Sequence, residues 1–127
     1  VTKSASELKE TTTVLNGWSD RSYYKNGEKV ISQWIYDANY SSWFYLDADG
    51  EYLENSWKGD YYLEAGGYMA SGEWIYYQNW FYLHGNGKYA REYWKDSYYL
   101  GQNGALARDT WIGSYYVDAT GKWNPEM

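Results

Sequence analysis

Apolar positions in this chain fall in short alternating runs, separated by polar breaks carrying Gly, Asp, Asn and Ser, which is the pattern of consecutive β-hairpins. The clearest run is Trp57-Lys-Gly-Asp-Tyr-Tyr-Leu-Glu-Ala-Gly-Gly-Tyr-Met-Ala70. Gly59-Asp60 predicts a two-residue turn, because Gly reaches positive φ at no steric cost. That turn sets Lys58 opposite Tyr61 and Trp57 opposite Tyr62. Trp57 and Tyr62 then share one face of the ribbon, with Tyr61 and Leu63 on the other. Both faces are apolar, and a lone two-stranded ribbon is marginal in water. Such a unit must stack on copies of itself.

A Trp, a gap, two adjacent aromatics and a later Gly recur six times. The Trp residues are Trp18, Trp34, Trp57, Trp74, Trp94 and Trp111, spaced by 16, 23, 17, 20 and 17 residues. The aromatic pairs are Tyr23-Tyr24, Trp43-Phe44, Tyr61-Tyr62, Trp80-Phe81, Tyr98-Tyr99 and Tyr115-Tyr116. Spacing of this order marks a repeat array. Units at Trp34 and Trp74 have wide gaps before Trp-Phe-Tyr-Leu, so long and short hairpins alternate. The predicted fold is all-β, a repeat solenoid of stacked β-hairpins. Residues 1–15, mostly Ser, Thr, Lys and Glu, read as a flexible leader, and 16–127 as an array of about six hairpin repeats. The first repeat is degenerate, as terminal repeats usually are.

Composition sharpens this picture. Aromatics make up 23% of the 127 residues, with 9 Trp and 18 Tyr against only 2 Phe. A chain selecting for burial alone would favour Phe, Leu, Ile and Val; Tyr and Trp suit rings that stay partly wet or present a face to a ligand. The absence of Cys excludes disulfides and thiolate metal sites. A net charge of −6, with no basic stripe, argues against nucleic acid and is compatible with a cationic ligand. No apolar run is long enough for a membrane-spanning helix, and no signal peptide is visible. Because the chain begins with Val, a processed form is expected.

Other candidate chemistry is weak. Asp47-Ala-Asp-Gly50 opens like a calcium loop, but its twelfth position is Lys58 where a bidentate Glu is needed, so it reads as a solvated turn. His84 is the only His and reads as a turn residue. Glu51 and Glu54 read as surface charge. No nucleophile elbow, phosphate loop or metal-ligand spacing is present, and neither catalysis nor a cofactor is expected.

The recurring Trp, turn, aromatic pair and Gly-x-Met/Leu/Tyr-Ala resemble the choline-binding repeat, the cell-wall anchoring module of pneumococci and their phages. The likeness runs from about residue 16 to 123 and is fullest over Trp57–Ala70. It implies a left-handed superhelix of hairpins that grips the phosphocholine of teichoic and lipoteichoic acids between successive hairpins. It also implies about three aromatic rings per site, often with a Met alongside. Carried over residue by residue, it pairs Trp34 with Trp43, Trp57 with Tyr61, Trp74 with Trp80, and Trp94 with Tyr98. Tyr45 and Tyr82 are the expected third rings, Met69 matches the family's Met, and Trp111 opens the last unit. Leu63, Leu100 and Val117 are read as replacing a ring, and Val30 and Leu106 as replacing Met, so two to four working sites are expected. The resemblance further implies a secreted, non-catalytic protein of a Gram-positive cell surface. Two other readings stay open: a glucan- or wall-polysaccharide-binding array using the same rings as platforms, or the anchoring fragment of a larger wall hydrolase.

Overall fold

The computed structural model describes residues 15–127. The leader expected at residues 1–15 lies outside them except for Leu15, whose carbonyl accepts the Gly27 amide at 2.7 Å. Described residues form two compact units, one running up to Glu54 with Ala65–Tyr68, the other Asn55–Glu64 with Met69–Met127. Both are all-β, built from consecutive antiparallel hairpins.

In the first unit β1 (Gly17–Ser19), β2 (Ser22–Lys25) and β3 (Glu28–Lys29) form a small sheet, and β4 (Gln33–Asp37) pairs with β5 (Ser42–Leu46). The second contains four hairpins: β6 (Ser56–Lys58) with β7 (Tyr61–Leu63), β8 (Glu73–Tyr76) with β9 (Trp80–Leu83), β10 (Tyr93–Lys95) with β11 (Tyr98–Leu100), and β12 (Thr110–Ile112) with β13 (Tyr115–Val117). The register in β6–β7 is the one the turn predicts, Trp57 opposite Tyr62 and Lys58 opposite Tyr61. Short hairpins turn on Asp20, Gly59, Asp96 and Gly113, each with φ between 55 and 60° and followed by a residue of negative φ. That is the type II′ pattern, whose twist matches the strands.

After every hairpin comes a Gly with φ of 80 to 91°: Gly27, Gly50, Gly67, Gly87, Gly104 and Gly121. Left-handed backbone is only half of its role. A Cβ on Gly104 would stand 2.4 Å from the Tyr89 ring, and one on Gly87 would stand 2.6 Å from the Met69 methyl. From Gly50 onward, each such Gly lets its repeat close on the residue two places beyond the Gly of the repeat before.

Leu46 in the first unit, and Leu63, Leu83, Leu100 and Val117 in the second, are fully buried. These are equivalent positions, one residue beyond the partner of each Trp. Leu63, Leu100 and Val117 thus align with Leu46 and Leu83, not with Tyr45 and Tyr82. The sequence alignment slipped by one because Trp-Phe-Tyr-Leu begins one residue earlier than Tyr-Tyr-Leu. Val30 shifts in the same way. Its amide bonds to the Tyr23 carbonyl, as Ala70 bonds to Tyr62, so Val30 occupies the Ala position and Lys29 the Met position.

Candidate functional site

Within a hairpin, pleating puts the opening Trp and the first aromatic of a short unit on opposite faces. Trp94 faces Tyr99 with ring centroids 5.1 Å apart, and Trp57 faces Tyr62 at 5.1 Å. Tyr98 and Tyr61 are opposite Lys95 and Lys58 on the other face. The sequence pairings Trp94 with Tyr98 and Trp57 with Tyr61 are therefore separated by the sheet. Trp74 and Trp94 instead meet the first aromatic of the next hairpin, Tyr98 and Tyr115, and Trp18 and Trp57 meet the second, Phe44 and Phe81.

The last two hairpins display the arrangement most openly. Trp94 of β10 meets Tyr115 of β13 at 5.9 Å and 82°, and Tyr115 meets Trp123 at 6.1 Å and 79°. These three rings, with Asp96 and Ser97 at the edge, line a cavity of about 280 Å³. Tyr115 is 51% and Trp123 39% exposed, so the ring faces are accessible. Trp123 is held there by backbone, its amide donating to the Ser97 carbonyl in the preceding turn at 2.8 Å.

One repeat earlier, Trp74 meets Tyr98 at 5.8 Å and 79°. The third wall is Leu106, whose amide donates to the Trp80 carbonyl at 3.0 Å. Trp80 and Thr120 join Trp74, Tyr98 and Leu106 around a cavity of about 380 Å³. Trp74 and Trp80 thus share a site, although they are not opposite each other: Trp74 faces Tyr82, and Trp80 faces Tyr76 two pairs nearer the turn. Tyr82 is 5.4 Å from Trp74, and the Lys95 ammonium lies 4.9 Å from its centroid.

Trp57, Phe81 and Tyr89 repeat the three-ring geometry at 5.1 Å and 6.0 Å, but they pack against the buried cluster of Tyr62, Ala70, Ile75 and Leu83. In the first unit Trp18 meets Phe44 at 4.9 Å and Tyr52 at 6.0 Å, lining a cavity of about 140 Å³ with Tyr40 and Tyr68. The Trp18 indole N–H donates to Asp37 Oδ2 at 2.8 Å. Arg21 stacks 4.1 Å above the Tyr52 ring while its guanidinium donates to Glu54 at 2.8 Å. Hydrogen bonding to that guanidinium and, more strongly, to the Gly66 amide holds the Glu54 carboxyl below its usual range.

The remaining sequence candidates take definite places. Trp34 faces Tyr45 at 5.4 Å, and Trp43 faces Tyr36 two pairs nearer the turn. Met69 bridges to Leu63 and backs with Tyr61 onto Gly87. Trp111 faces Tyr116 at 5.2 Å and is half exposed. Sequence reading missed Trp18, Phe44, Tyr52, Phe81, Tyr89, Tyr115 and Trp123 as ring walls. The available signal was the aromatic two residues after Gly50, Gly87 and Gly121, in register with Met69.

Among the described residues no group of His, Cys, Asp or Glu could hold a metal ion, and no helix is long and apolar enough to cross a membrane. Asp47 accepts the Asp49 and Glu51 amides at 2.9 and 3.0 Å, closing a turn on itself.

Repeated hairpins whose rings converge on open cages define a modular ligand-binding array. The family model for the choline-binding repeat matches residues 88–123. The choline-binding domain of CbpL from Streptococcus pneumoniae is 38% identical with a TM-score of 0.64, over 86% of this chain and 75% of that one. The chain belongs to the choline-binding repeat family. The modular autolysin LytC of S. pneumoniae, solved with a synthetic peptidoglycan ligand, is 42% identical with a TM-score of 0.78, over 84% of this chain and 27% of that one. A putative endo-β-N-acetylglucosaminidase of S. pneumoniae is 49% identical over 53 residues, 39% of this chain and 8% of that protein. The chain thus spans less than a tenth of that relative and about a quarter of the autolysin.

Proposed function

We propose that this chain is a non-catalytic anchoring module that holds its protein at a Gram-positive cell surface by binding choline groups of teichoic and lipoteichoic acids. The observation that carries the reading is the cage of Trp94, Tyr115 and Trp123, three rings set nearly perpendicular around an accessible cavity. A quaternary ammonium has no N–H to donate. Its recognition rests on ring faces and on excluding water, each cation–π contact contributing roughly 0.5–2 kcal/mol. Three rings give about 3–4 kcal/mol, an affinity of order millimolar for one free choline. Cages repeated along one chain, facing a polymer with many choline groups, gain a further factor of about 10²–10⁴ in avidity.

The test is a choline titration followed by Trp fluorescence and thermal melting, with glucose oligomers as control. Saturation in the millimolar range with a rising Tm is expected, since a ligand that binds only the folded state stabilises it. A response to glucose oligomers and none to choline would overturn the cationic reading in favour of a polysaccharide platform.

A further inference from the structure

The two open cages of the second unit differ in a way that one small cation does not explain. Around Trp94 the third wall is a ring, Trp123, and the cavity is about 280 Å³. Around Trp74 that wall is Leu106 and the cavity is about 380 Å³, which enters the range of pockets that enclose whole small molecules. The additional wall is Trp80, contributed by the extra cross-strand pair of a long hairpin. Trp80 is 41% exposed and stands 5.3 Å from Tyr76, itself 61% exposed, so ring surface continues from the cavity out along the hairpin. The other long hairpin carries the same exposed pair, Tyr36 and Trp43 at 5.4 Å.

The polar group in this cavity is also informative. Thr120 lines it, and the Thr120 hydroxyl donates to Asp118 Oδ1 at 2.6 Å, a bond that helps hold the Asp118 carboxyl below its usual range. With its proton committed, Thr120 offers a ligand only an acceptor. A trimethylammonium has no O–H or N–H with which to use it, whereas a sugar hydroxyl does.

The geometry points to an extended subsite at Trp80 that stacks a pyranose ring next to a choline held by Trp74 and Tyr98. The ligand is then a choline together with the sugar adjoining it on the wall polymer. Bulk here is matched to chemistry: the sugar's apolar face lies on Trp80, whose ring Tyr76 buttresses at a steep angle, and its hydroxyl edge reaches Thr120. This inference rests on the choline reading for its cation and not for its sugar.

The test follows the indole N–H signals of Trp74, Trp80 and Trp94 by NMR. Choline is added to saturation first, and methyl N-acetyl-β-D-glucosaminide is then titrated in. The glycoside is expected to shift Trp74 and Trp80 and to leave Trp94 in place. Trp80→Ala should raise the half-saturating glycoside concentration about tenfold, the loss of one stacking contact. Tyr76→Ala, more exposed and so safe for folding, should raise it by about threefold. An unmoved Trp80 signal, or equal movement at Trp94, would overturn the subsite. Failure of the cationic reading looks different, because choline itself would then move none of the three indoles.

Discussion

Two ring sets in the second unit have nearly the same angles and opposite characters. Trp57, Phe81 and Tyr89 meet at 73 and 78°, while Trp94, Tyr115 and Trp123 meet at 82 and 79°. In the first set Phe81 has closed to 5.1 Å from Trp57 and the rings lie on a buried aliphatic cluster. In the second, Tyr115 stands off at 5.9 Å and its ring is half exposed. A T-shaped aromatic contact therefore does not distinguish core from cage. Backing and exposure do, since rings laid on a buried aliphatic cluster have no face left for a cation, whereas half-exposed Tyr115 has one.

The sharpest way to break this comparison is on the core side. Trp57→Ala should destabilise the fold by about 3 kcal/mol, because its void is lined by side chains that cannot collapse into it. Urea denaturation measures that loss, and an unchanged midpoint would make Trp57 a cage residue after all. Gly104→Ala should cost about 2 kcal/mol by the same assay, from a forced positive φ and a Cβ driven into the Tyr89 ring. On the cage side, Trp123→Ala should barely move the urea midpoint, yet weaken choline binding at Trp94 about tenfold, read as quenching or shift of that indole.

The smallest effect is electrostatic. Burial, followed by a hydrogen bond and like-charge repulsion from Glu73, pushes the Glu64 carboxyl up to about 7. A carboxyl raised above its unfolded value of 4.5 favours the folded state below that value. The contribution is lost as pH climbs from there through about 7. Melting temperature should thus fall slightly between pH 5 and pH 8, and Glu73→Gln should flatten that fall. An identical slope in the variant would detach the effect from this pair.

Much of the fold was legible because local chemistry fixes it. Gly59-Asp60 dictates its turn, the turn dictates that Trp57 faces Tyr62, and each later Gly marks a left-handed residue. The long hairpins misled because Trp43-Phe-Tyr-Leu46 and Trp80-Phe-Tyr-Leu83 offer three consecutive rings. With no polar residue to mark the outer face, nothing in the run shows which ring opposes the Trp. The structure shows it to be Tyr45 and Tyr82, leaving Phe44 and Phe81 to meet the preceding repeat's Trp. The third wall was harder still. Trp123 reaches its cage, and Tyr89 its packed ring set, through amide bonds to Ser97 and Asp60, carbonyls more than twenty residues upstream that no local pattern reveals.

Those amide bonds bear on how such a chain changes length over generations. In the second unit Tyr89, Leu106 and Trp123 each donate to the hairpin before, at the turn residues Asp60 and Ser97 and, for Leu106, at Trp80, the first residue of β9. Each of these three junctions thus joins one donor of the later repeat to one acceptor of the earlier. Unequal recombination that removes or duplicates one whole repeat rejoins a donor to an equivalent acceptor and leaves no buried amide orphaned. A cut at any other phase would strand both. Copy number can therefore drift, and with it the grip on a multivalent polymer, without the fold being redesigned.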